Sequence, residues 1–200
     1  MLPAALVLVA LLIAAPAPEP VIVALGDSIT AGLGVLTVEA YPALLQARLA
    51  REGFHYRVVN AGVSGDTTAG GLRRLDWVLR ARPAIVIVAL GANDGLRGLP
   101  VAAMRDNLEA IVTRLRGAGA RVLLVGMRLP PNYGAAYTRE FAEAFVIVAQ
   151  RTSVPLAPFL LDGVAGQAAL NQPDGIHPNA AGQRLVAETV WRSLRPMLQQ

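Results

Sequence analysis

Ala84-Ile85-Val86-Ile87-Val88-Ala89-Leu90 is an unbroken apolar run with a β-branched centre, and Gly91-Ala92-Asn93-Asp94-Gly95 follows it directly. The lack of polar alternation marks a strand covered on both faces, as in the middle of a parallel sheet. On either side of it, further strands are expected at Val21–Leu25, Tyr56–Asn60, Arg121–Met127 and Val154–Ala157. Between them, apolar residues recur at helical spacing in Ala40–Arg51 (Tyr41, Leu44, Leu45 and Leu49 on one face) and Thr68–Ala81 (Leu72, Leu75, Trp77, Leu79). Helices are also expected over Val101–Arg116, Tyr137–Arg151 and Ala180–Leu198, the last turning Leu185, Val186, Val190, Leu194 and Met197 inward. Strands alternating with helices predict an α/β fold, a five-stranded parallel sheet, doubly wound, with helices on both faces.

Two hundred residues suit one domain with a sizeable core. Apolar residues make up 54% and charged residues 16%, which excludes a disordered chain and a coiled coil. The net charge is +4, carried without any Lys. The Arg residues are scattered (Arg48, Arg51, Arg73, Arg74, Arg114, Arg116, Arg121, Arg192, Arg195) and not interleaved with aromatics. No nucleic-acid partner is expected from such a pattern, which fits solvated helix faces. There is no Cys, so disulfides, thiol nucleophiles, thiolate metal sites and an acylated-cysteine anchor are all removed. Histidine occurs only at His55 and His177, and serine only at Ser28, Ser64, Ser153 and Ser193.

The run Ala4-Ala5-Leu6-Val7-Leu8-Val9-Ala10-Leu11-Leu12-Ile13-Ala14-Ala15 is followed by Pro16-Ala17-Pro18-Glu19-Pro20. It is shorter than a membrane span and has the form of a secretory signal's hydrophobic region, with Ala15-x-Ala17 as the cleavage site. No Arg or Lys precedes the run and Pro18 follows Ala17, so an uncleaved N-terminal anchor is the alternative. The chain divides into this leader over 1–18 and a folded domain over 20–200, placed in the periplasm or outside the cell.

Ligands of doubly wound sheets bind beyond the carboxyl ends of the strands. The polar, Gly-rich segments fall there: Gly26-Asp27-Ser28, Gly62-Val63-Ser64-Gly65-Asp66-Thr67, Gly91-Ala92-Asn93-Asp94-Gly95, the Arg128–Gly134 stretch and Asp174-Gly175-Ile176-His177-Pro178-Asn179. Ser28 stands at a strand-to-helix corner, where it is equally a helix cap or a nucleophile. His177 decides for the nucleophile, since Asp174, three residues earlier, can hold the imidazole's tautomer. Pro178 is expected in the first turn of the last helix. Gly65, through its backbone N–H, and Asn93, through its amide, are expected to donate to an oxyanion. Ser64 is a rival nucleophile, though its Gly-rich loop better suits an oxyanion donor. Asp27, Asp66 and Asp94 are expected to fix loops.

Gly26-Asp27-Ser28, Gly65, Asn93 and Asp174-x-x-His177 together resemble the four blocks of the SGNH (GDSL) hydrolase family, from about Val21 to the C-terminus. Asn93–Gly98, Arg128–Gly134 and Asp174–Asn179 are similar to the bacterial branch containing thioesterase I, lysophospholipases and arylesterases. Ile29 replaces the Leu of the GDSL string, and Thr30 stands where G-x-S-x-G has its second Gly. The resemblance implies a three-layer α/β/α sandwich of flavodoxin-like type. It implies hydrolysis of esters or thioesters by a Ser28–His177–Asp174 triad, with the Ser28 N–H joining Gly65 and Asn93 in the oxyanion hole. Leu96, Leu129, Pro130 and Tyr133 are expected to wall an acyl pocket. No cofactor or metal is expected. The partner is a small-molecule or lipid acyl ester or thioester, met by a monomer with transient contact to membrane surfaces.

Two other readings stay open at this point. Gly26-Asp27 and Gly91-Ala92-Asn93-Asp94 superficially resemble metallophosphoesterase strings, although two His are few for a His-rich metal site. A flavodoxin-like sheet can also serve as a non-catalytic binding module.

Overall fold

The computed structural model describes residues 19–198, so the leader expected over 1–18 lies outside the described residues. Five strands, β1 (Val21–Gly26), β2 (Arg57–Gly62), β3 (Ile85–Ala89), β4 (Arg121–Val125) and β5 (Leu156–Ala157), form one parallel sheet in the order β2-β1-β3-β4-β5. The apolar run that announced the fold is β3, buried along its whole length between β1 and β4. Ile22 of β1 sits between Val58 and Ile85, which sets the register on both sides. The edge strand β2 is correspondingly half-exposed.

Among the described residues eight α-helices flank the strands: α1 (Ser28–Ala31), α2 (Tyr41–Arg51), α3 (Thr68–Arg73), α4 (Leu75–Arg80), α5 (Ala92–Leu96), α6 (Val101–Gly117), α7 (Ala135–Thr152) and, after the last strand, α8 (Ala180–Leu194). Helix α2 packs against α8, whereas α6 packs against both α3 and α7. These two groups are the outer layers of the sandwich. The largest apolar side chains, among them Tyr41, Leu45, Leu49, Phe141 and Phe145, are fully buried beneath them. Each such side chain contributes roughly 1.5–3 kcal/mol by leaving water. Tyr41 keeps its hydroxyl satisfied by a 3.0 Å hydrogen bond to Thr30 Oγ1. Among the described residues no helix is long and apolar enough to cross a membrane.

Where the expectation of one helix over Thr68–Ala81 departs from the structure, Arg74 is the cause. Its Nε donates to Asp66 at 2.7 Å, Nη1 to the Ala61 carbonyl at 2.7 Å and Nη2 to the Gly26 carbonyl at 2.9 Å. Arg74 leaves helical geometry (φ −95°, ψ 10°) and the chain restarts as α4. The restart buries Leu75 and Val78 and leaves Trp77 52% exposed. Leu185 likewise lies 39% exposed on the flank of α8, because Val186, Val190 and Leu194 already fill the inward stripe. Pro178 stands before the helix, in an antiparallel bridge with Asn171, and Asn179 caps α8. Met197 packs partly buried in a separate 3₁₀ turn, Arg195–Met197.

Candidate active site

The end of β1 delivers the chain straight into α1. Asp27 is its N-cap, with Oδ1 accepting the Ile29 N–H at 3.1 Å. Gly26 is forced by crowding, since a Cβ there would lie 1.9 Å from Thr30 Oγ1. Helix α1 ends after one turn at Gly32, in the left-handed conformation (φ 78°) that glycine adopts freely. Ser28 is thereby the first helical residue, buried except for its exit toward the rim.

Across the rim, Ser28 Oγ lies 2.9 Å from His177 Nε2, and His177 Nδ1 lies 2.6 Å from Asp174 Oδ2. Asp174 Oδ1 accepts the backbone N–H of Ile176 at 2.9 Å and of His177 at 3.0 Å. Those backbone bonds, above all from His177, then the bond to its ring, hold the Asp174 carboxyl down at about 2. An ionised carboxylate can only accept, so Nδ1 donates to it. In the neutral ring Nε2 is then left to accept the Ser28 O–H.

Asn93 lies in α5 rather than in a loop, because the Asp94 carboxylate beside it takes the Thr68 N–H at 2.8 Å and hydroxyl at 2.6 Å. Its Nδ2 donates to Asp27 Oδ2 at 3.3 Å, which sets the amide beside the serine. Burial pushes the Asp27 carboxyl up to about 6 against the opposing pull of the Ile29 N–H. Gly65 takes a positive φ of 77°, and its carbonyl accepts Arg97 Nη2 at 2.8 Å, tying the loop after β2 to the end of α5. Asp27, Asp66 and Asp94 thus fix loops as expected. Ser64 is exposed, and its hydroxyl has no hydrogen bond to an imidazole among the described residues. His55 lies exposed before β2, away from the rim loops.

Beside the serine opens a cleft of about 530 Å³, lined by Ile29, Ala92 and Ile176 next to the rim and by Leu96, Leu129, Pro130 and Phe159 further along. Gly95 permits its packing, for a Cβ there would come within 2.6 Å of Leu129 Cδ2 and 2.5 Å of Phe141 Cε2. Tyr133, expected in this wall, is not among the lining residues; its hydroxyl donates to the Leu96 carbonyl at 3.0 Å and braces the wall instead. The reading by motif missed the opposite wall, Phe159, Leu161 and Ala165 in the connection after β5, together with Arg128. Its only signal was a cluster of apolar residues, Phe159-Leu160-Leu161 and Val164, in a segment without helical or strand period. Among the described residues no group of three or more His, Asp or Glu is placed to hold a metal ion.

A doubly wound sheet bearing serine, imidazole and carboxylate in series at its rim has the layout of a serine-dependent hydrolase. Residues 24–185 match the GDSL-like Lipase/Acylhydrolase family, and the chain belongs to it. It is 49% identical over 174 residues to Esterase TesA of Pseudomonas aeruginosa, covering 86% of this chain and 87% of that protein. With Thioesterase 1/protease 1/lysophospholipase L1 of Escherichia coli it shares 38% identity over 175 residues, 87% of this chain and 83% of that one. The crystal structure of TesA superposes with a TM-score of 0.87 at 48% identity, covering 89% of this chain and 99% of its own. The expected fold, family and hydrolytic class therefore stand.

Proposed function

We propose that this hydrolase cleaves carboxylic esters and thioesters by acyl transfer through Ser28. His177 Nε2 takes the hydroxyl proton as Oγ attacks the acyl carbon. Asp174 holds the ring and stabilises the imidazolium that forms. The N–H groups of Ser28 and Gly65 and the Asn93 amide receive the oxyanion. Collapse expels the alcohol or thiol, protonated by His177, and water, activated by the same base, releases the acid from the acyl-enzyme. The apolar cleft takes the acyl chain, with Leu96, Leu129 and Pro130 in its wall. Neither cofactor nor metal enters these steps.

The observation that carries this reading is the continuous chain from Ser28 Oγ through His177 to Asp174, at 2.9 and 2.6 Å, beside an apolar cleft. A fluorophosphonate probe is expected to label one serine, and Ser28→Ala is expected to abolish labelling and ester hydrolysis while the thermal transition remains. Labelling that survives Ser28→Ala would reject Ser28 as nucleophile. In the same reading, residues 1–18 direct export of a monomeric domain, 20–200, to the periplasm or beyond, where it meets membrane surfaces transiently. The uncleaved anchor is the alternative to that export.

A further inference from the structure

Arg74 does more than interrupt the chain between α3 and α4. Its side chain is 20% exposed, and its Nε, Nη1 and Nη2 donate to three acceptors from separate segments. Two of these acceptors, the Gly26 and Ala61 carbonyls, lie at the ends of β1 and β2, and the third is the Asp66 carboxylate in the loop beyond β2. Gly26 shortly precedes Ser28, and Asp66 directly follows Gly65. The Gly26 carbonyl also accepts the Val63 N–H at 3.0 Å. The Asp66 N–H returns to the Val63 carbonyl at 3.1 Å and closes the turn that contains Gly65. Gly70 clears space for the carboxylate, since a Cβ there would lie 1.7 Å from Asp66 Oδ1.

An ion pair with Asp66 would need only one of these nitrogens. The guanidinium is a planar, rigid fork, so bonds from all three fix their acceptors relative to one another. Donors to an oxyanion act only where they are held, within about 0.5 Å of the productive position. Arg74 bonds the segment that carries the Ser28 N–H and the turn that carries the Gly65 N–H. Asn93 is set separately, by Asp27.

We propose that Arg74 is a positioning residue of the oxyanion hole, which sets the spacing between the Ser28 and Gly65 N–H donors. The inference rests on the Ser28-centred reading of the site and adds to it a residue that acts through those two segments.

The experiment compares the wild type with Arg74→Lys and Asp66→Ala. It measures kcat and KM for a soluble ester, and inhibition by two ligands of equal chain length. An alkylboronic acid accepts an electron pair from Ser28 Oγ at boron. A B–O bond forms, the serine O–H breaks, its proton passes to His177, and the tetrahedral adduct puts an oxygen in the hole. The matching primary alcohol only fills the apolar cleft. Lys keeps a cation beside Asp66 but cannot span three acceptors. Arg74→Lys is expected to lower kcat about tenfold to a hundredfold, less than the roughly 10²–10³-fold loss of a whole donor. Boronate affinity is expected to fall by the same factor, while KM and alcohol affinity stay within about twofold. Asp66→Ala, which releases only the Gly65 side of the link, is expected to show the same split at smaller size, and decides the matter should Arg74→Lys not fold. Wild-type kcat and boronate affinity, or equal weakening of boronate and alcohol, would overturn the proposal. Failure of a fluorophosphonate to label Ser28 in the wild type would reject the nucleophile itself, a result distinct from unchanged boronate affinity.

Discussion

Two carboxylates flank the path from Ser28 to His177, and their surroundings push them in opposite directions. Asp174 is exposed and accepts two backbone N–H groups and the imidazole, so its carboxyl lies down at about 2. Asp27 is buried, with one backbone N–H and a 3.3 Å amide contact, and lies up at about 6. The consequences for stability run oppositely. The Asp174 contribution is present above its unfolded value near 4 and is lost as pH falls toward about 2. For Asp27, between about 4 and 6 the native state holds a proton that the unfolded chain has released, so stability falls as pH rises through that window. Asp27→Asn removes this titration. Between pH 4 and 7 the wild type is expected to lose on the order of 2 kcal/mol relative to the variant, measured by urea unfolding at each pH. Parallel pH dependence in the two proteins would show that the Asp27 carboxyl is not held in its protonated form by burial. Nothing in the string Gly26-Asp27-Ser28 foretold this asymmetry, because it depends on how deeply the rest of the chain buries one side chain.

Helix ends do much of the positioning. Asn179 accepts the N–H groups of Ala181 and Gly182 at the start of α8, and its Nδ2 donates to the Ala169 carbonyl at 2.9 Å. The cap therefore ties the helix to the turn that precedes the His177 loop. Asn179→Ala is expected to cost about 1–2 kcal/mol, read as a lower urea midpoint at unchanged slope. No change in midpoint would mean that water replaces both sets of bonds. The elements legible in the sequence were the long periodic ones, α2, α6, α7 and α8, and the apolar strands β1, β3 and β4. The illegible ones were short and held by distant partners. Helix α5 reads as a turn because Asn, Asp and Gly stand in it, but Asp94 spends its carboxylate on Thr68. The break at Arg74 exists because three acceptors from separate segments converge on one guanidinium. Strand β5 shrinks to Leu156–Ala157, where its two residues pair with Leu124 and Val125 of β4.

At the scale of the whole molecule, the order β2-β1-β3-β4-β5 gathers all the rim segments at one edge of the sheet. That domain is built from described residues alone, so a chain beginning at Glu19 is expected to unfold cooperatively and to hydrolyse a soluble ester as the full chain does. Calorimetry and steady-state kinetics check it; failure to fold would give 1–18 a structural part. The sequence by itself determined the class of fold, since strand and helix periods are local properties of the chain. It also determined which residues could do chemistry, because two histidines and four serines leave few combinations. Only the tertiary structure decided that Ser28 meets His177 across 149 positions of chain. It also decided that Tyr133 braces the wall without lining it, and that Phe159, Leu161 and Ala165 line the same cleft as Leu96 and Leu129. Such pairings follow from which segments the sheet brings side by side, and no window of neighbouring residues carries that information.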